Sequence, residues 1–189
     1  MKQFKGRILF LLSLAAMTMV CVRGRGQNYS VWVNAAQMLE LGTFNIGAGY
    51  PVARHFSANA AAAFNPFTYG SGSNRKYFRR MEVFAGARYW PWFVNSGWFV
   101  SGYADWAKYS YGGIFTKKAY EGYAYGVKLG GGYALMVQKG FNLEFGLGAF
   151  LGALRQTEYS CTKCGTTLGK KEKFAVRPSD LLLGVTIVF

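Results

Sequence analysis

Histidine occurs once in this 189-residue chain, cysteine three times, proline four times, and aspartate and glutamate together eight times. Each scarcity removes a class of chemistry. A serine nucleophile for acyl transfer needs a base beside it. The single histidine, His55, falls in a short turn between two strand-like stretches, where an ordinary turn residue is the simpler reading. A structural zinc site wants four ligands, and Cys161 and Cys164 have no second pair once Cys21 leaves with the N-terminal segment. The pair Cys161-Thr-Lys-Cys164 reads as a small disulfide in an exported loop, with free thiols and then metal as the alternatives. Long hydrophobic runs are also missing. Beyond the first thirty residues nothing approaches the ~20 apolar residues of a membrane helix.

Glycine (25 residues), aromatics (18%) and basic residues (22, for a formal net charge of +14) are abundant. Their order is informative between Tyr120 and Leu154. Tyr123, Tyr125, Val127, Leu129, Tyr133 and Leu135 share one parity. Gly122, Ala124, Gly126, Lys128, Gly130 and Gly132 share the other. The alternation restarts after Gln138-Lys139-Gly140, with Phe141, Leu143, Phe145 and Leu147 against Asn142, Glu144, Gly146 and Gly148. Period two means strand, because successive side chains point to opposite faces. The bulky face is apolar and the other is tiny or polar. A soluble barrel such as a lipocalin would put its bulk inside, so this pattern suits a narrow barrel facing lipid. In lipid only a closed barrel satisfies every strand's backbone.

The chain opens with Lys2, Lys5 and Arg7, followed by an apolar run from Ile8 to Val22. That run is short for a spanning helix and suits a secretory signal. We take residues 1–26 as signal peptide and residues 27–189 as the barrel. A lipoprotein lipidated at Cys21 and an uncleaved anchor helix are the weaker readings. Eight strand-like stretches follow: Ser30–Gln37, Gly42–Val52, Phe56–Phe67, Tyr77–Pro91, Gly97–Lys108, Gly122–Val137, Phe141–Arg155 and Pro178–Phe189. Three connections are short, at Ala53–His55, Trp92–Ser96 and Gln138–Gly140. Three are longer, at Thr68–Lys76, Tyr109–Glu121 and Gln156–Arg177. Such asymmetry belongs to outer-membrane barrels, with the long loops outside the cell. The expected fold class is all-β, an eight-stranded antiparallel transmembrane β-barrel. The terminal Phe189 resembles the insertion signal read by the barrel-insertion machinery.

Eight strands enclose only enough room for side chains. Arg80, Glu82, Arg88, Asp105, Lys128, Asn142, Glu144 and Asp180 fall on the inward parity, which predicts a plug of ion pairs. Lys128 and Glu144, on strands joined by a tight turn, are the expected partners. A second group is basic and lies in or near the long loops: Arg75, Lys76, Arg79, Lys117, Lys118, Lys163, Lys170, Lys171, Lys173 and Arg177. Besides a solvated surface, it can read as a patch for phosphates or carboxylates of lipopolysaccharide, or for an acidic partner. Nucleic acid would suit the charge but not an outer-membrane address. No cofactor is expected.

The segments "FNPFTYG", "ARYWPWF", "YEGYAYGVKLGGGYALM", "FNLEFGLGAF", "YSCTKCG" and "RPSDLLLGVTIVF" resemble the domain-of-unknown-function 3575 family of Bacteroidota. The resemblance covers nearly the whole chain beyond residue 26. The second strand departs from it, since "LGTFNIGAGY" lacks the usual Pro-Asn before it. The resemblance implies a small outer-membrane barrel, and family members near fimbrillin-type genes hint at a part in surface-fibre assembly. It carries over no catalytic residue. The expectation is therefore a non-enzymatic barrel that anchors or assists a cell-surface structure, in contact with outer-membrane lipid and lipopolysaccharide and with fimbrial or other surface proteins. A lipid-modifying envelope enzyme and a small pore are the alternatives.

Overall fold

The computed structural model describes residues 29–69, 76–114, 118–160 and 167–189. The segment read as a signal peptide lies outside the described residues, as do Arg75, Lys117, Cys161, Lys163 and Cys164. The elements in chain order are β1 (Ser30–Asn34), α1 (Ala35–Leu39), β2 (Phe44–Ala53), β3 (Phe56–Asn65), β4 (Thr68–Tyr69) and β5 (Lys76–Tyr89), then β6 (Gly97–Gly112), β7 (Ala119–Gln138), β8 (Phe141–Tyr159) and β9 (Thr167–Val188). Each long strand pairs antiparallel with the next. β1 also pairs with β9 and β3 with β5, skipping the two-residue β4, so eight strands close into a barrel.

The alternation seen in the sequence sets the faces. In β3, Phe56, Ala58, Ala60, Ala62 and Phe64 are exposed while Ser57, Asn59, Ala61, Ala63 and Asn65 are buried. In β7 the exposed residues include Tyr123, Tyr125, Val127 and Leu129, with Ala124 and Lys128 buried between them. Glycine brings β7 and β8 close together. A β-carbon at Gly126 would strike the Leu151 carbonyl and Gly152 Cα, so only glycine fits.

β6 and β7 run further than expected, to Gly112 and from Ala119, so much of the connection Tyr109–Glu121 is strand. Two other regions depart more strongly from the expected strands. The first strand stops at Asn34 instead of running to Gln37. Asn34 caps α1, its side chain accepting from Ala36 N at 3.1 Å. On the β2 side its backbone meets a side chain in place of a ladder: Asn34 N donates to Asn45 Oδ1 (2.6 Å) and Asn45 Nδ2 donates to Asn34 O (2.8 Å). The chain then turns through Leu41 and Gly42, both at positive φ. The second departure is β9, which begins at Thr167 rather than Pro178. Most of the long connection Gln156–Arg177 is therefore strand, paired to β8.

β9 carries a bulge. Gly148 pairs with Asp180 and Ala149 with Pro178, leaving Ser179 as the extra residue. A bulge reverses which parity faces inward. Arg177 consequently stands opposite the buried Phe150, and Phe174 and Val176 are exposed at 72% and 65%. The basic residues of the connection Gln156–Arg177 are thereby divided. Lys171 and Lys173 pair opposite Gln156 and the buried Leu154, and Lys170 opposite Thr157 on the other face.

Candidate functional site

The lumen is polar in some layers and aromatic in others. Toward the short-turn end, Arg88 on β5 is 3% exposed and Glu144 on β8 is fully buried. Arg88 Nη1 lies 2.8 Å from Glu144 Oε2, and Arg88 Nε donates to the Tyr103 hydroxyl at 2.6 Å. Glu144 Oε1 accepts from the Thr186 hydroxyl at 2.7 Å. The guanidinium sits 5.3 Å from the Trp32 ring centre and 4.7 Å from that of Phe99. Each charge in this group has an opposite charge and hydrogen bonds, and the guanidinium has aromatic faces as well, which makes burial tolerable.

A second group lies nearer the long-loop end. Lys128 Nζ donates to Glu82 Oε1 and stands 3.6 Å from Asp105 Oδ1. Arg80 Nη2 meets Glu82 Oε2 at 2.6 Å, and Arg80 Nη1 meets Glu40 Oε2 at 3.3 Å. Lys128 Nζ also lies 4.6 Å from the Phe84 ring centre. Asp105 Oδ1 is buried and accepts no hydrogen bond. Trp32 Nε1 and Asn142 Oδ1 are likewise buried without a hydrogen-bond partner.

The expected pairing of Lys128 with Glu144 is corrected. In the β7–β8 ladder Lys128 stands opposite Phe150, and Glu144 opposite Ala134, well apart along the barrel. Each instead finds its partner across the lumen. Arg80, Glu82, Arg88, Asp105, Lys128, Asn142 and Glu144 all take the inward face. Asp180 holds a ladder position opposite Gly148, with its side chain outside the description. Sequence reasoning missed Glu40, Tyr103, Thr186 and the lumenal aromatics Trp32, Phe84 and Phe99. Tyr103 and Phe99 share the parity of Asp105, but an inside expected to be small directed attention away from them. Gly47 makes room for one of these rings: a β-carbon there would strike Trp32.

Lys128 separates two cavities. The smaller, about 50 Å³, is lined by Trp32, Gln37, Phe84 and Arg88 among others. The larger, about 250 Å³, opens toward the long-loop end. Its lining includes Glu40, Arg80, Glu82, Asp105, Tyr109 and Arg177.

His55 is a turn residue. Its Nδ1 lies 2.9 Å from Trp90 O, while Trp90 N donates to His55 O. The nearby Ser57 hydroxyl accepts from Trp90 Nε1 and Asn59 Nδ2. Lys118, in the loop before β7, donates to Glu158 Oε1 at 2.7 Å, and that bond raises its ammonium pKa. The remaining basic positions, Lys76, Arg79, Lys170, Lys173 and Arg177, are exposed. Lys171 Nζ lies 3.6 Å from Glu158 Oε2. Among the described residues no group of three or more His, Cys, Asp or Glu is placed to hold a metal. Phe189 N donates to Tyr29 O, which ties the two ends of the barrel sheet together.

These features define a closed eight-stranded antiparallel β-barrel with a charged, ion-paired interior. The chain belongs to the family described as "Protein of unknown function (DUF3575)", whose model matches residues 8–189. Comparison with curated proteins and with solved structures gave no match.

Proposed function

We propose that this is an integral outer-membrane β-barrel, non-enzymatic, that presents its long-loop end to a partner or lipid headgroups at the cell surface. One observation carries the reading: the polarity is inside out. Ion pairs occupy the lumen, while the wall between the rims shows only apolar and small side chains among the described residues. Soluble monomers rarely expose a continuous apolar surface beyond a few hundred Å². Here Ile46, Val83, Val100, Leu129, Leu147 and Leu183 face outward on six of the eight strands around the barrel.

Two aromatic belts support the same reading. Tyr50, Tyr89, Trp92 and Trp98 lie toward the short-turn rim; Phe44, Phe64, Trp106 and Tyr123 lie toward the other. Cations cap the second belt, with Lys108 Nζ 5.5 Å from the Tyr123 ring centre and Arg155 Cζ 5.7 Å from that of Tyr125. Basic side chains there suit phosphates at a membrane surface. The hairpin of β8 and β9, with Lys170, Lys171 and Lys173, extends the basic character beyond the belt.

The test is fractionation with heat-modifiability. The mature chain should be recovered with outer membranes and migrate faster before boiling than after. Recovery as a soluble periplasmic protein would sink the reading.

A further inference from the structure

β9 is the longest strand, yet β1 covers only its last part. β1 pairs with Gly184–Val188, and among the described residues no strand pairs with β9 from Thr167 to Leu182 on that side. The Asn34 side chain reaches across, to Leu181 O and Leu183 N. The short α1 stands where the upper half of β1 would run. Pro178, which has no N–H to donate, sits on this unpaired edge. The barrel wall therefore has a lateral seam between α1 and β9.

In hydrocarbon an unpaired edge is tolerated only where it borders protein or a water-filled cavity. The larger cavity lies against this seam: Glu40, which follows α1, and Arg177, Pro178 and Ser179 on β9 all line it. On the outer face the same seam is flanked by exposed apolar side chains, Leu39 (83%), Val176 (65%) and Leu181 (55%).

The cavity's charges are uneven. On its floor, among the described residues, three carboxylates, Glu40, Glu82 and Asp105, meet two cations, Arg80 and Lys128. Asp105 is the least engaged, with a buried oxygen that accepts no hydrogen bond. On its wall Arg177 lies over the Phe150 ring at 5.4 Å, with no carboxylate within ion-pair distance among the described residues. Among the described residues, one cavity thus offers a carboxylate with an oxygen that accepts no hydrogen bond and a guanidinium with no carboxylate at ion-pair distance. At about 250 Å³ it is smaller than the ~300–1,000 Å³ of whole-ligand pockets. It has room for a headgroup, with acyl chains outside along the seam.

We infer that the cavity and seam together bind an amphiphile whose headgroup carries both a phosphate and a primary ammonium. Arg177 takes the phosphate, Asp105 takes the ammonium, and the chains lie against Leu39, Val176 and Leu181. This rests on the membrane reading and adds a ligand to it.

The probe is a lysophosphatidylethanolamine with a photoreactive diazirine in its tail, added to the full mature barrel folded in dodecyl maltoside micelles. Comparators are an alkyl phosphate monoester and an alkyl ammonium with the same tail. Labelling by the zwitterion should map to the peptides around Leu39 and Val176–Leu181 and exceed both comparators. It should fall roughly tenfold in Arg177→Gln and in Asp105→Asn, as expected for loss of one charged hydrogen bond. Free phosphoethanolamine should compete weakly. Equal labelling by all three probes, labelling spread around the belt, or no change in either variant overturns the site. Labelling by the phosphate monoester equal to that by the zwitterion removes the ammonium contact and overturns the headgroup assignment. Full competition by free phosphoethanolamine removes the seam. Each variant is first shown to be heat-modifiable, so failure to fold in micelles counts against the membrane reading and not against the ligand.

Discussion

The two halves of the lumen solve one problem differently. Near the short turns Arg88 and Glu144 are sealed in, one to one, with Tyr103, Thr186 and two aromatic faces completing their contacts. Near the long loops the charges outnumber their matches, line an open cavity and border a gap in the wall. A narrow barrel needs one half to be dense, with its charges paired, for stability. The other half, which lines a cavity of about 250 Å³, can then hold imperfect pairing. The dense half reads as a foundation and the open half as the place where function resides.

The sharpest way to break this contrast is Glu144→Ala. It strands Arg88 in a dry site and should destabilise the barrel by roughly 3–5 kcal/mol. Urea unfolding in lipid or detergent, followed by tryptophan fluorescence, measures it. A midpoint near wild type would show that the short-turn half is not the foundation. The paired replacement Arg88→Met with Glu144→Leu should recover most of the loss, since a buried pair exchanged for apolar residues is often neutral.

Lys128→Met comes next. It leaves Glu82 with Arg80 and leaves Asp105 beside a wet cavity, so the loss should be smaller, about 2–3 kcal/mol. A double-mutant cycle sharpens the assignment of partners: Lys128 with Glu82 should couple by about 1–3 kcal/mol and Lys128 with Glu144 by nearly nothing. Strong coupling to Glu144 would contradict the register of β7 on β8.

Gly47→Ala probes how tightly the aromatic layer is packed. Its β-carbon meets the Trp32 ring, and relief of such overpacking costs about 1–3 kcal/mol. The smallest expected effect is conductance. Purified barrel in a planar bilayer should give no steady nanosiemens steps, because Lys128, Glu82 and Phe84 fill the middle of the lumen between the two cavities. Open steps of that size would mean that the layer does not close the lumen.

Much of the fold is legible in the sequence. Period-two alternation from Phe56 to Phe64 and from Tyr123 to Leu129 fixed strands and faces, because side-chain direction in a strand is a local property of the backbone. Short turns at Gly140 and around Asn95 were visible as polar or glycine breaks for the same reason. The extent of β9 was not, because Thr167–Arg177 is polar and basic, and it becomes strand by pairing with β8 beyond the belt. The bulge at Ser179, which sends Arg177 inward, leaves no local mark except Pro178.

For the interior, the sequence determined which residues point in: Arg80, Glu82, Arg88, Asp105, Lys128 and Glu144 could be named from parity alone. Only the tertiary structure decided who meets whom. Arg88 finds Glu144 on β8 and Lys128 finds Glu82 on β5, across the lumen, at sequence separations of 56 and 46. The physical reason is that the facing of a side chain follows from its own backbone. Its partner depends instead on the register of every ladder between them, and on the glycines and bulges that set how the wall curves and where it stays open.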